Sequence, residues 1–241
     1  PITVPENARV EFAVVFDPDI PGPHRATVAI ESDAVEDSVF RFDVAGFATS
    51  AGIVYVDDTA TGERTGQSWD DAFTQLQDAF DVAEAGATIR VAAGTYRPTS
   101  WPNGGTAQRE KHFSLKTGVS LRGGYPDGGG AEGQRDPAEH PTVLSGDGGT
   151  PGTVADDCYH VFYHPADVTV DDSAHIDGFV ITMGNADGDA FPHNRGGGMA
   201  NFGIATPTIR ECVFSPNKAD AIGGAMANHS HASHSLSGST F

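Results

Sequence analysis

The stretch Gly196-Gly197-Gly198-Met199-Ala200-Asn201 returns 27 residues later as Gly223-Gly224-Ala225-Met226-Ala227-Asn228. The same offset carries Ile209 to Leu236, Cys212 to Ser239 and Phe214 to Phe241. A fixed period of roughly 20–50 residues is the mark of stacked repeats. Each repeat is then one rung, which buries its apolar face only against its neighbours. Ile176, Phe179 and Ile181 have the same internal spacing, so three rungs offer inward side chains at i, i+3 and i+5. In a parallel stack like positions lie ~4.8 Å apart. Ile181, Phe214 and Phe241 are therefore expected to form an apolar ladder. Asn201 over Asn228 is expected to form an amide ladder at a turn, where Asn tolerates left-handed geometry. The glycines are expected at positions of positive φ.

Upstream of the repeats, Ile53-Val54-Tyr55-Val56 reads as a short strand. A helix is predicted over 69–83. Ser68 is placed as its N-cap with Asp71 three residues on, Asp70 and Asp71 sit at the positive end of the dipole, and Gly86 follows the C-terminus. Phe73, Leu76, Phe80 and Ala83 give it an apolar stripe at helical spacing. Ile89, Val91 and Ala93 alternate as the next strand. The helix is expected to cover the open end of the first rung, since an uncapped end exposes strand edges and core. Residues 1–49 alternate differently. Val10 to Phe16, Ala26 to Ile30 and Val39 to Val44 read as three strands joined by turn clusters such as Asp17-Pro18 and Pro21-Gly22-Pro23.

Two resemblances follow from these segments. Tyr55-Val56-Asp57, Ser68-Trp69, Leu76-Gln77-Asp78-Ala79 and Ile89 to Tyr96 resemble the start of bacterial right-handed parallel β-helix proteins. Gly118 to Tyr125, Gln134 to Pro137, Pro141 to Asp147 and Ile176 to Ile181 continue the likeness. The Gly-Gly-x-Met turns and Phe214-Ser215-Pro216-Asn217 are similar to the repeats of the polymorphic outer-membrane protein family. The N-terminal run resembles the last strands of immunoglobulin-like domains of the ASPM-SPD-2-Hydin type. The fold these resemblances imply is all-β: a right-handed parallel β-helix over 50–241 with an N-terminal capping helix, preceded over 1–49 by a partial immunoglobulin-like β-sandwich. The first strand pattern is already under way at the start of the chain and Phe241 falls within a repeat. The sequence therefore reads as a piece of a longer protein, truncated at its C-terminus, and a missing export signal is uninformative.

Composition narrows the partners. The net charge is −19, with 33 acidic against 14 basic residues, which argues against nucleic acid, whose phosphates need a basic patch. It also disfavours tight binding of an acidic polysaccharide unless a cation mediates. No apolar run reaches the length of a membrane span. Only Cys158 and Cys212 occur, so a disulfide framework is excluded, and Cys212, aligned with Ser239, reads as a small buried thiol.

Candidate chemistry is sparse. Asp156-Asp157, Asp171-Asp172 and Asp187-Gly188-Asp189 are acid clusters at turns; Asp187 and Asp189 are the best placed to hold calcium, which takes several oxygen ligands. His229 and His231, with His234 close by, would share a strand face as a zinc or nickel pair, but no Cys or carboxylate completes the set nearby. A β-helix lyase needs a basic residue, and the chain has three lysines, Lys111, Lys116 and Lys218. A glycosidase needs two suitably spaced carboxylates, and so many acids barely discriminate. P-loop, nucleophile-elbow and His-Glu-x-x-His patterns are absent. The candidate binding residues are Asp187, Asp189, His193 and Arg195, which converge before the first Gly-Gly turn. The expected function is a non-catalytic secreted or cell-surface protein of structural or adhesive role, its partners glycans or other surface proteins, located outside the cell or at the outer membrane. The open end of the helix would favour self-association. The alternative is a polysaccharide lyase or glycoside hydrolase on the same scaffold.

Overall fold

The computed structural model describes residues 22–31, 39–48, 52–150 and 152–241. The chain is β-rich, with several parallel sheets and one α-helix of seven residues among the described residues. The largest sheet has six parallel strands in the order Ser235–Ser237, Thr208–Arg210, His175–Asp177, Ser120–Tyr125, Thr88–Ala92 and Ile53–Val56. A four-stranded sheet runs Val213–Phe214, Phe179–Thr182, Thr142–Ser145 and Gly94–Tyr96. A three-stranded sheet runs Met226–His229, Met199–Phe202 and Phe162–His164. A short pair joins Asn185–Ala186 to Lys218–Ala219.

Register makes this more than a set of sheets. Val54, Ile89, Leu121, Ile176, Ile209 and Leu236 pair in succession across the six strands. The middle four are fully buried. Tyr96, Leu144, Ile181 and Phe214 form the matching column of the four-stranded sheet. Phe241 lies stacked on Phe214, ring centroids 5.0 Å apart and 8° from parallel. The apolar ladder is thus built as the spacing predicted. Both columns contribute to one core, with Phe113, Phe162, Phe179 and Met199. The sequence distance between paired positions is uneven, 32 residues from Thr88 to Ser120, 55 from Ser120 to His175, 33 from His175 to Thr208 and 27 from Thr208 to Ser235. Only the last interval therefore shows as a sequence repeat. The outer column of the six-stranded sheet is charged: Arg90 beside Arg122, then Asp177, then Arg210.

The helix is shorter than predicted, Leu76–Val82. Ser68 Oγ does accept the Asp71 N–H at 3.1 Å, but the chain then straightens. Phe73 N–H donates to Tyr55 O at 3.0 Å and Phe73 O accepts from Asp57 N–H at 2.9 Å. A backbone paired to a strand edge cannot also turn helically, so the helix begins only after it. Of the predicted apolar stripe only Leu76 and Phe80 lie on the helix, while Phe73 and Ala83 flank it; all four are buried in the same core as Val54 and Val56. Lys116 Nζ donates to Phe80 O and Ala83 O, satisfying carbonyls that a helix C-terminus leaves open.

In the N-terminal segment, Gly22–Glu31 pairs antiparallel with Val39–Ala48, and Ala26, Val28 and Ile30 face Val44, Phe42 and Phe40. The predicted strand over Val10 to Phe16 lies outside the described residues. Among the described residues no helix is long and apolar enough to cross a membrane.

Loops are tied to the sheets by ion pairs. Arg135 donates from Nε to Gly123 O at 2.7 Å and from Nη2 to Asp177. Gly178 leaves the space for it, since a Cβ there would meet that guanidinium. The Arg135 side chain is only 10% exposed, so truncation leaves Asp177 and a carbonyl without their donor. Arg135→Ala is expected to lower stability by about 2–3 kcal/mol, read by urea unfolding. Arg135→Lys should recover little of it, because a point ammonium cannot replace the fork.

Candidate functional site

The segment Tyr159-His160-Val161-Phe162-Tyr163-His164 enters the three-stranded sheet. Alternation sends Phe162 and His164 into the core and leaves the Tyr163 ring half-buried on the outside. Around this segment the chain gathers rings. His112 meets Tyr163 edge-on at 5.1 Å, and Tyr163 meets Phe202 at 6.1 Å. Phe191 packs on Phe202 at 4.7 Å and on His229 at 5.9 Å. Phe191 is 53% exposed, and the Arg195 guanidinium lies 5.7 Å from its ring centre. The result is a strip of aromatic and imidazole rings across the sheet.

The loop from Asp187 to Arg195 borders this strip. Tyr159 is held between two partners: the Arg109 guanidinium 4.2 Å over its ring and the His193 ring 4.3 Å away and 3° from parallel. Arg109 also bonds Asp187 Oδ1 at 2.5 Å, and Asp187 Oδ2 accepts from Asn185 at 3.0 Å. Asp187 is thus committed to the loop's own architecture through both oxygens. His193 Nε2 lies 3.9 Å from Glu110 Oε1, while Glu110 Oε2 accepts the N–H groups of Thr106 and Ala107. Those two bonds hold the Glu110 carboxyl below its usual range. Burial keeps His193 below the ordinary imidazole value.

His160 lies beneath. Its Nδ1 donates to Gly196 O at 3.0 Å, which leaves Nε2 as a bare acceptor. Burial pushes its pKa down to about 3, so it is neutral. Of the buried polar side-chain atoms without a partner, His160 Nε2, Asn194 Oδ1 and Arg195 Nε all belong to this neighbourhood. Such atoms are uncommon in a native interior, and each calls for a donor, an acceptor or water.

Of the residues singled out from sequence, Asp187, His193 and Arg195 therefore border one surface. Asp189 is exposed on the same loop. Among the described residues no group of three or more His, Cys, Asp or Glu side chains is placed to hold a metal ion. The other acid clusters form turns: Asp156 Oδ2 accepts the Thr150 N–H, Asp157 Oδ1 the Gly148 N–H and Asp171 Oδ1 the Ser173 N–H. His229 and His231 do not share a strand face, because the strand ends at His229 and Ser230 turns the chain at φ +59°. His229 joins the ring strip instead, and His234 bonds Asn228 at 2.7 Å. Both cysteines are free and buried.

Sequence reasoning passed over Arg109, Tyr159, His160, Tyr163 and Phe202. The available signal was the density of rings between Tyr159 and His164, five in six positions. No family model, curated protein or solved structure matches this chain.

Proposed function

We propose that the chain is a right-handed parallel β-helix of a secreted or cell-surface protein. On this reading it follows a partial immunoglobulin-like module and serves as a rigid, non-catalytic scaffold that binds neutral glycans. Support for the solenoid comes from the registers, in which six strands of one sheet and four of another stack like residues over like. The observation that carries the binding role is the ring strip from His112 through Tyr163 and Phe202 to the exposed Phe191. The exposed Phe191 and the half-buried Tyr163, backed by the buried Phe202 and His112, offer sugars apolar ring surface, and Arg195 and His229 supply polar groups beside Phe191. The net charge of −19 favours a neutral ligand over an acidic one.

A carbohydrate-active enzyme is the second reading, and the close approach of His193 and Glu110 is what favours it. It is the weaker one, because Asp187, Glu110 and His160 are already occupied in positioning the loop or held neutral. Affinity electrophoresis of the full chain in gels containing neutral and acidic polysaccharides tests the proposal. A neutral polysaccharide is expected to retard the protein, and Phe191→Ala to weaken that retardation at least ~10-fold without lowering the melting temperature. Retardation by none of them, or retardation indifferent to Phe191, would sink the binding role. Release of reducing or unsaturated ends from the same polysaccharides would favour the enzyme.

A further inference from the structure

The turn Trp101-Pro102-Asn103-Gly104 holds the only Asn-Gly pair in the chain. An Asn side chain followed by Gly closes readily to a succinimide, because Gly has no Cβ to crowd the attacking nitrogen. Gly104 is exposed at φ +87°, and nothing lies within 4 Å of the position a Cβ would take. Asn103 itself is held from two sides. Its amide nitrogen donates to Ser114 Oγ at 2.9 Å and to Tyr163 O at 2.8 Å. A backbone carbonyl only accepts, so Tyr163 O fixes the nitrogen, not the oxygen, on that side. The Asn103 backbone N–H donates to His112 Nε2 at 3.3 Å, and the Gly104 N–H donates to Trp101 O at 3.0 Å. Both reacting groups are thus occupied while the turn is closed. The attacking nitrogen keeps its proton in a hydrogen bond, and the side chain is turned to Ser114 and Tyr163. The turn is lightly built, with residues 104–108 all exposed, and such segments open far more often than the core unfolds.

We infer that Asn103 is a deamidation site gated by this turn: it reacts when the turn opens, and the product no longer fits when the turn closes. On opening, the Gly104 nitrogen gives up its proton and bonds to Asn103 Cγ. The Cγ–Nδ2 bond breaks and the amide group, taking up a proton, leaves as ammonia. Water then opens the five-membered ring, adding its oxygen to one of the two carbonyl carbons and returning a proton to the ring nitrogen. The product is aspartate or isoaspartate, and nothing is oxidised or reduced. In the aspartate an oxygen faces the Tyr163 carbonyl where a donor stood, at a part-buried position. Two acceptors set against each other cost the hydrogen bond and leave the carbonyl without its donor. Ser114 Oγ can turn its proton to the new carboxylate, but Tyr163 O has none to turn. The tie between this turn and the strand Phe162–His164 is therefore lost with the amide. None of this depends on glycan binding.

Peptide mapping by mass and isoaspartate content tests this on the full chain, incubated in mildly alkaline buffer with and without urea above the unfolding midpoint. Conversion at Asn103 is expected to be at least ~10-fold slower in the folded chain than in urea. Ser114→Ala frees one amide hydrogen. It should speed conversion several-fold in the folded chain and leave the rate in urea unchanged. Equal rates with and without urea, or no conversion in either, overturn the site. If Ser114→Ala does not fold, the parent's two rates decide. The misfit of the product is read separately. Asn103→Asp should melt below both the parent and Asn103→Ala, because Ala only removes a donor whereas Asp sets an acceptor against an acceptor. Asn103→Asp melting at or above Asn103→Ala would overturn the claim that the deamidated turn cannot close.

Discussion

Gly197→Ala is expected to abolish cooperative folding of the repeat segment, an effect above ~3 kcal/mol. The reason is backbone against backbone. A Cβ on Gly197 would run into Lys218 O and lie 2.7 Å from Gly184 O and 3.0 Å from Gly224 O. None of these is a flexible side chain that could yield. Gly197 O also accepts the Val161 N–H at 3.0 Å, and Gly198 bonds Phe162 and Gly224 on its two sides. The segment is therefore pinned between the strands below and above it. One rung later the arrangement recurs, since a Cβ on Gly224 would lie 2.6 Å from Asn217 O. Gly133→Ala is the control: nothing lies within 4 Å of its Cβ position. Its stability should stay within ~0.5 kcal/mol of the parent. Urea unfolding of both variants decides it. A Gly197→Ala chain with the parent's midpoint would mean that the two backbone segments are not in contact.

This contact also marks where sequence reasoning was incomplete. The glycines of the repeat were expected to serve positive φ. Gly196 and Gly223 do, at +69° and +64°, but Gly197, Gly198 and Gly224 are there because neighbouring backbone leaves no room for a Cβ. Periodicity names the conserved spacing without saying which of two physical needs fills it. The ladders were legible because identical or similar side chains recur at identical offsets, as with Asn201 and Asn228 or Ile209 and Leu236. Earlier pairings such as Leu121 with Ile176 were not legible, because a long loop separates them and nothing in the sequence counts rungs across it. The predicted helix start failed for a related reason. Ser68 and Asp71 form the local turn that a capping box requires, yet the strand edge at Tyr55 and Asp57 captures Phe73. Long-range pairing overrode a local signal. At the candidate site the loop 187–195 was found through its charges. Its partners Arg109 and Tyr159 come from distant segments, and a cation resting on a ring leaves no spacing rule to read.

Acid should loosen the stack through His164, and the effect should fall between pH 6.5 and pH 4. The predicted amide ladder is longer than the repeat implied and contains a histidine. Leu115 N–H donates to His164 Nε2 at 2.9 Å, so Nδ1 carries the proton and donates to Asn201 Oδ1 at 2.7 Å. Asn201 Nδ2 then donates to Asn228 Oδ1 at 2.8 Å. The line crosses three strands that pair in register, His164 on Asn201 on Asn228. Protonating Nε2 would put two donors face to face in a fully buried site. Burial accordingly drives the His164 pKa down to about 4. In the unfolded chain it stands near ~6.5. The unfolded state therefore takes up the proton first. Stability from this group is complete above ~pH 6.5, is lost steadily as pH falls, and by pH 4 has dropped by roughly 3 kcal/mol. Buried His160, at about 3, adds in the same direction. Asp58, Asp78, Asp81 and Asp157 oppose it, because burial raises their carboxyls and favours the folded state in acid. Comparing the parent with His164→Gln isolates the histidine. Gln keeps an acceptor and a donor for the ladder but does not titrate. The parent's melting temperature should fall more steeply than the variant's between pH 6.5 and 4, and the two curves should run parallel from pH 7 to 8. Parallel curves across the whole range would mean that His164 takes up its proton without breaking the ladder, and the assignment of Nε2 as an obligate acceptor would be wrong.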